Sequence, residues 1–310
     1  MKKRPLGQTG MAVSEVAFGG VGIGMPYAGQ AMPDRGESIK LLHAALNSGI
    51  NYFDTARLYG ISEELMGEAF RHRREEVILN TKCIHFLDSS GRIPDDLDVK
   101  KTILDSFDKS LKVLRTDYID VFMLHQSSPD IFRNEEVARV FSDLKQSGKV
   151  RAIGASTYTL QESKMAIEKS IWDVLQVPFN LMDQQQAALF PLAYQNGVGL
   201  IIRSVLFRGY LTDRTLDLPG ELDAVKDHLR RINTHTEDPA RQAMKFVLSY
   251  PEVSSVLIGM DQMNHLTKAL EVADGKYYDS EFRAQLEALA FPDPAFLNFS
   301  QWVKNGWLKN

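Results

Sequence analysis

Eight short apolar runs alternating with segments of helical periodicity are the feature that most limits what this chain can fold into. The runs are Val16 to Phe18, Ile50 to Phe53, Val77 to Thr81, Ile119 to Leu124, Val150 to Gly154, Val174 to Val177, Gly199 to Ile202 and Ser255 to Ile258. Helices with recognisable ends are expected between them. Glu37 to Asn47 stops at Ser48-Gly49, Glu63 to Phe70 follows Ser62, Val99 to Leu114 follows an Asp98 cap, and Glu135 to Ser147 stops at Gly148. Thr159 with Glu162 reads as a capping box, and Asp238-Pro239 as a cap followed by proline in the first turn. A strand–helix repeat of roughly 25 to 40 residues favours parallel pairing, because parallel strands need long crossovers. Eight such units predict an α/β fold of the (β/α)8 TIM barrel type.

No Pro-, Gly- or Ser-rich linker and no composition shift divides the chain, so residues 1–310 are read as one domain. Residues 1–13 are expected to form a hairpin ahead of the first barrel strand. Two additions interrupt the pattern, Leu216 to Arg231 and an extended tail after Ala273. The tail carries Phe296, Phe299, Trp302 and Trp307, an aromatic density suited either to packing on the barrel wall or to closing its mouth.

Composition excludes several classes of function. At 310 residues and 44% hydrophobic content the chain can bury a large core. A formal net charge of -4 argues against nucleic acid as the main partner, since phosphate binding relies on clustered Lys and Arg. The basic start Met1-Lys2-Lys3-Arg4 leads into Pro5-Leu6-Gly7 without an apolar signal core, and no apolar run approaches the roughly 20 residues that span a bilayer. Cys83 is the one cysteine, so no internal disulfide is possible and a reduced, cytoplasmic setting is expected. Beside Lys82, Cys83 reads as a small buried hydrophobe or a reactive thiol. No Cys/His cluster has metal-ligand spacing, and His43, His72, His228 and His235 are scattered.

Chemistry concentrates at the ends of consecutive runs: Asp54 and Tyr59 in NYFDTARLYG, Lys82 in VILNTKC, His125 in YIDVFMLHQ. In a barrel the carboxyl ends of strands gather at one face, where active sites of such barrels sit. Singly, each residue also fits a packed aromatic, a helix cap, a surface charge or a core histidine. Together they form a proton-transfer unit. An ammonium beside a phenol favours its ionised form, and a carboxylate holds the ammonium by a charge-assisted hydrogen bond. Tyr59 then serves as general acid or base, with His125 donating to the substrate oxygen. Lys82 as the Schiff base of a barrel isomerase or aldolase is a further option.

With these residues in hand, the chain resembles the aldo-keto reductase family over nearly its full length. The resemblance runs from VSEVAFGGVGIG through FDTARLYG, NTK, MLHQ, GKVRAIGAS and LQVPFN to SSVLIGMDQMNHL. It implies a (β/α)8 barrel with NAD(P)(H) extended across its carboxyl-terminal face, and it matches Asp54, Tyr59, Lys82 and His125 to the catalytic tetrad. Hydride chemistry would belong to the cofactor, and the protein would position and polarise. Ser156 and Gln176 match residues around the nicotinamide carboxamide, whereas Thr157 stands where asparagine is usual. Arg203 occupies the position of an aromatic that stacks on the nicotinamide. A guanidinium can also lie flat on a ring, the alternative being a salt bridge at the barrel rim.

By the same likeness Ser204, Leu206, Gly209, Thr212 and Arg214 fall at the pyrophosphate, and Gly259, Met260, Asp261 and His265 at the adenosine end. His265 replaces an arginine, and Lys268-Ala269 a Glu-Asn pair. Asp261 would repel a ribose 2'-phosphate and accept from ribose hydroxyls, which leans the expectation to NAD or dual use over strict NADP.

The run Gly19-Gly20-Val21-Gly22-Ile23-Gly24 lacks GxGxxG spacing and precedes no immediate helix, so it is read as a close backbone approach to ligand through Gly20 and Val21. The expected substrate is a small carbonyl, alcohol or sugar such as an aldehyde or aldose, touched by Tyr59, His125, Tyr27 and His85. The resemblance leaves a second function open: a cofactor-binding redox sensor like the potassium channel β-subunits that resemble this family.

Overall fold

The computed structural model describes residues 1–27, 29–212, 217–234 and 236–308. Two strands at the start, β1 (Lys3–Pro5) and β2 (Ala12–Ser14), pair antiparallel with Arg4 opposite Val13. Eight parallel strands then close into a barrel: β3 (Val16–Gly19), β4 (Tyr52–Asp54), β5 (Ile78–Lys82), β6 (Ile119–Leu124), β7 (Val150–Ser156), β8 (Val174–Pro178), β9 (Gly199–Arg203) and β10 (Val253–Gly259), with β10 closing on β3. All eight expected runs are strands of this barrel.

The hairpin plugs the amino-terminal end. Leu6, Met11 and Val13 join the barrel interior of Ala17, Tyr52, Ile78, Val121, Met123, Ala152, Val174 and Ile201 in one buried cluster. The Arg4 guanidinium locks the plug by donating to the carbonyls of Leu248, Val253 and Tyr250 at 2.8, 2.9 and 3.1 Å, and to buried Glu15 at 2.6 Å. With that end sealed, a cavity can open only at the carboxyl ends of the strands.

Most helix ends follow the expected capping chemistry. Asp98 accepts from Lys101 N at 2.8 Å, Asp238 from Arg241 N at 2.9 Å, and Thr159 and Glu162 form the capping box. Ser62 differs: it is the first helical residue of Ser62–Ala69 instead of its cap, and its hydroxyl accepts from Thr55 Oγ1 at 2.9 Å. The residues after Gly220 form a helix, Asp223–Thr234, that buries Val225, Leu229 and Ile232. The tail folds into helices Ser280–Glu287 and Phe299–Lys304. Trp302 is buried and donates Nε1–H to Phe296 O at 2.7 Å, while Phe299 packs on Phe207 with ring centroids 4.7 Å apart. The tail therefore packs on the loop after β9, and its Pro294, Ala295, Leu297, Asn298 and Phe299 also border the cavity mouth. Among the described residues no helix is long and apolar enough to cross a membrane.

Candidate active site

A cavity of about 950 Å³ opens at the carboxyl ends of the strands, at the upper end of the roughly 300–1,000 Å³ range of small-molecule sites. Asp54 ends β4, and its inward side chain is the hub of one wall. Its Oδ1 accepts from Lys82 Nζ at 2.6 Å, from Gln176 Nε2 at 2.8 Å, and from Asn80 Nδ2. Strand alternation explains the convergence, because Asn80 and Lys82 lie two apart on β5 and Asp54 is in register with Asn80. Lys82 is fully buried and also donates to Thr55 O at 3.0 Å. Burial lowers its pKa, and the Asp54 charge opposes that effect.

Tyr59 is half-buried in the loop after β4, with Lys82 Nζ 4.9 Å from its ring centroid. That loop crosses the first barrel loop so tightly that a Cβ on Gly24 would overlap Tyr59 O, and one on Gly60 would overlap Gly24 O; Ile61 N donates to Gly24 O at 3.1 Å. Burial first, then the Asp54 charge, pushes the phenol well above its ordinary value, partly offset by Arg203. This corrects the expectation of a phenol acidified by Lys82: the ammonium is committed to Asp54, and desolvation dominates.

His125 follows β6 and sets its ring edge-on to Tyr59, with centroids 5.4 Å apart and planes at 82°. It is 8% exposed, and burial, then Lys82, His85 and Arg203, push its imidazole down to about 2. The ring is therefore neutral, and its Nδ1 has no hydrogen-bond partner among the described residues. His85 packs edge-on to His125 at 4.7 Å, exposed and outside the residues that line the cavity, so it touches the histidine and not the cavity. Tyr27 does line the cavity, half open to solvent, with the Arg208 guanidinium 5.9 Å from its ring.

Most of the expected cofactor residues line other parts of the cavity. Ser156, in register with Gln176 on the neighbouring strand, lines it, but the Gln176 amide N–H is turned to Asp54. Arg203 ends β9 beside Pro178 of β8. Its Nη2 donates to Thr157 O at 2.9 Å, its Nη1 lies 3.3 Å from Ser204 Oγ, and its guanidinium carbon sits 4.4 Å from the centroid of the Tyr158 ring. Thr157 itself is buried and shares a 2.7 Å hydrogen bond with Ser163, so it supports the arginine and the following helix.

After Arg203, three non-glycine residues take the sparsely populated left-handed conformation: Ser204, Phe207 and Arg208 at φ +58°, +47° and +55°. The turn they make brings Ser204, Leu206, Gly209 and Thr212 to the cavity wall. Arg214 lies outside the described residues. At the far end Gly259, Met260, Asp261, His265 and Lys268 line the cavity, with Asp261 Oδ1 2.7 Å from His265 Nδ1.

The first-loop glycines divide their roles. Val21 and Gly22 face the cavity, and a Cβ on Gly22 would stand 3.3 Å from Asp261 Cβ. Gly20 instead packs against Asp54 O, Ser62 and Met66, so its close approach is to protein. Cys83 is fully buried, and burial pushes its thiol up to about 12, which makes it a small hydrophobe and no nucleophile.

Tyr158, Asn80 and Asp183 were missed by sequence reasoning. Tyr158 lines the cavity under Arg203 with its hydroxyl 3.5 Å from His125 O, and its place just before the capping box was the available signal. Asp183 lines the cavity from the loop after β8, and burial raises its carboxyl.

A model of the aldo/keto reductase family matches residues 15–290. The uncharacterized oxidoreductase YqkF of Bacillus subtilis is 29% identical, with 91% of this chain and 94% of that protein covered. The NADH-specific methylglyoxal reductase of Escherichia coli is 32% identical, over 75% of this chain and 76% of its own length. Among solved structures, the holo form of aldo-keto reductase AKR11C1 from Bacillus halodurans superposes with a TM-score of 0.81 at 28% identity, covering 94% of this chain and 96% of its own.

Proposed function

The chain belongs to the aldo/keto reductase family of oxidoreductases, and on that premise we propose that it passes hydride between NAD(P)(H) and a small carbonyl or alcohol substrate, with Tyr59 handling the proton. The observation that carries this reading is the convergence of Tyr59, Asp54 and neutral His125 on one wall of the cavity, with buried Lys82 paired to Asp54 and 4.9 Å from the Tyr59 ring.

The cavity fits a dinucleotide. It runs from Tyr59 to Lys268, and at its reacting end a buried Arg203 Nε lacks a partner among the described residues. Arg203 would lie against the nicotinamide, Ser156 and Gln176 would meet its carboxamide, and the turn from Ser204 to Thr212 would cover the pyrophosphate. Gln176 can keep its bond to Asp54 while it does so, since its amide has a second N–H and a carbonyl oxygen to offer. Gly259 to His265 would hold the adenosine. When bound, the nicotinamide supplies or accepts the hydride.

The chain's own residues account for the rest. Tyr59 enters protonated and donates to the carbonyl oxygen; as negative charge grows there, the proton crosses to it. Lys82, 4.9 Å from the phenol ring, stabilises the tyrosinate that forms, and Asp54 keeps the ammonium in place. His125, held neutral, retains an N–H donor for the same oxygen. In the oxidative direction Tyr59 as tyrosinate takes the hydroxyl proton. A Schiff base at Lys82 is disfavoured by its complete burial and its bond to Asp54.

Asp261 supports NAD or dual use, and a relative specific for NADH fits that lean. Tyr27, Gln30, Asp183 and Gln185 line the cavity with hydroxyl, amide and carboxyl groups, which suits an aldehyde, a dicarbonyl or an aldose. The test is a spectrophotometric screen with both nicotinamides, in both directions, over aldehydes, aldoses and polyols, in the wild type and Tyr59→Phe. Turnover that falls by about 10²–10⁴-fold in Tyr59→Phe, with nucleotide binding kept, is the expected result. Nucleotide binding without any Tyr59-dependent turnover refutes the catalytic reading in favour of a redox sensor.

A further inference from the structure

We propose that Arg203 makes this site hold reduced nicotinamide more tightly than oxidised, and so biases the bound equilibrium toward oxidation of the alcohol. The proposal rests on the reading above, in which Arg203 lies against the nicotinamide ring. Ser156, Gln176 and Arg203 come from three consecutive strands, β7, β8 and β9, whose registers set Ser156 opposite Gln176 and Arg203 opposite Pro178. The guanidinium plane is fixed by hydrogen bonds to Thr157 O and Ser204 Oγ, and one face is taken by the Tyr158 ring. Arg203 also lines the cavity, where a planar ligand can meet it. An arginine stays charged at every working pH.

An aromatic ring in this place attracts a pyridinium through its negative face. A guanidinium reverses the sign. Oxidised nicotinamide carries a positive ring and is repelled, whereas the reduced ring is neutral and stacks without that penalty. Transfer of a hydride, a proton with two electrons, from an alcohol carbon to C4 cancels the ring charge; the hydroxyl proton goes to Tyr59, and the carbonyl is left. Arg203 therefore favours the side of the equilibrium that holds the carbonyl product.

Neighbouring charges cancel this one at most in part. Lys82 is neutralised by Asp54 at 2.6 Å, and His125 is neutral. Asp183 lines the same end; burial raises its carboxyl while Arg203 lowers it, so this carboxyl is the one group there that opposes the Arg203 charge. Arg203 is felt as positive charge at Tyr59, His125 and Lys82 alike, which puts its field on the reacting atoms.

The experiment measures dissociation constants of NADH, NAD+, NADPH and NADP+ by calorimetry for the wild type, Arg203→Lys, Arg203→Gln and Arg203→Tyr, with folding checked by thermal melts. The reduced form of the preferred pair is expected to bind at least about tenfold tighter than the oxidised form in the wild type, equivalent to about 30 mV in the two-electron potential. Arg203→Lys keeps most of that ratio, Arg203→Gln brings it toward one, and Arg203→Tyr favours the oxidised form. Equal affinities in the wild type, or a ratio unchanged in Arg203→Gln, overturn the inference while leaving the nicotinamide reading intact. Failure of all four nucleotides to bind overturns both. Equal affinities in the wild type refute the inference even if a variant does not fold, and either of Arg203→Gln and Arg203→Tyr that folds assigns the ratio to Arg203.

Discussion

Holding His125 neutral has a cost that pH can expose. Its imidazole is 8% exposed, and burial with the Lys82, His85 and Arg203 charges moves it from the ordinary 6.5 to about 2. Below pH 6.5 the unfolded chain takes up a proton at this position that the folded chain refuses. The unfolded state then binds more protons, so stability from this residue is complete above about pH 6.5 and is lost as pH falls toward 2. The slope is about 1.4 kcal/mol per pH unit, which gives about 2.5 kcal/mol between pH 7 and 4.5. Urea unfolding at pH 7, 5.5 and 4.5 should show the wild type losing that much more than His125→Gln, which has no titrating group there. Packing differences shift the variant's intercept but not its pH slope. Parallel slopes for the two proteins would refute a neutral, desolvated His125, and with it the donor role given to the imidazole at working pH.

Two further outcomes follow from other charges of the cavity. Lys82→Met leaves the Asp54 carboxylate buried without its cation and should cost roughly 3–5 kcal/mol in urea unfolding. Asp54→Asn in the same chain should recover part of the loss, and strictly additive losses would refute the pair as a unit. Asp261→Asn should tighten NADPH about tenfold while moving NADH little, as read by fluorescence titration. NADPH binding at least tenfold tighter than NADH in the wild type would sink the lean to NAD or dual use.

What was legible in the chain follows from which interactions are local. Periodicity is local, so the eight strands, the Asp98 and Asp238 caps and the Thr159–Glu162 box were all readable. Strand ends were readable too, because a polar residue closing an apolar run is where a barrel presents chemistry, and Asp54, Lys82 and His125 meet there. Cross-strand contacts were not. Asn80 earns its bond to Asp54 through register between β4 and β5, and nothing in its own neighbourhood of sequence announces that. Ser62 reads as a helix boundary, yet it is the first helical residue and its hydroxyl accepts from Thr55 instead of capping.

Charge and burial separate in the same way, and this bears on mechanism. A sequence names Lys82 as a cation near Tyr59 and invites an acidified phenol. The fold spends that cation on Asp54 and desolvates the phenol, so Tyr59 rests as a firm proton holder. Such a group gives up its proton only to a stronger base, and the alkoxide formed when hydride reaches a carbonyl carbon is one. In reverse, the same phenol as tyrosinate is a strong base for an alcohol. Desolvation thus ties proton transfer to hydride transfer in both directions, because neither charged partner is stable in the cavity by itself. On the proposal made for Arg203, the direction would then be left to the ring beside it, whose charge would distinguish oxidised from reduced nicotinamide where Tyr59 does not.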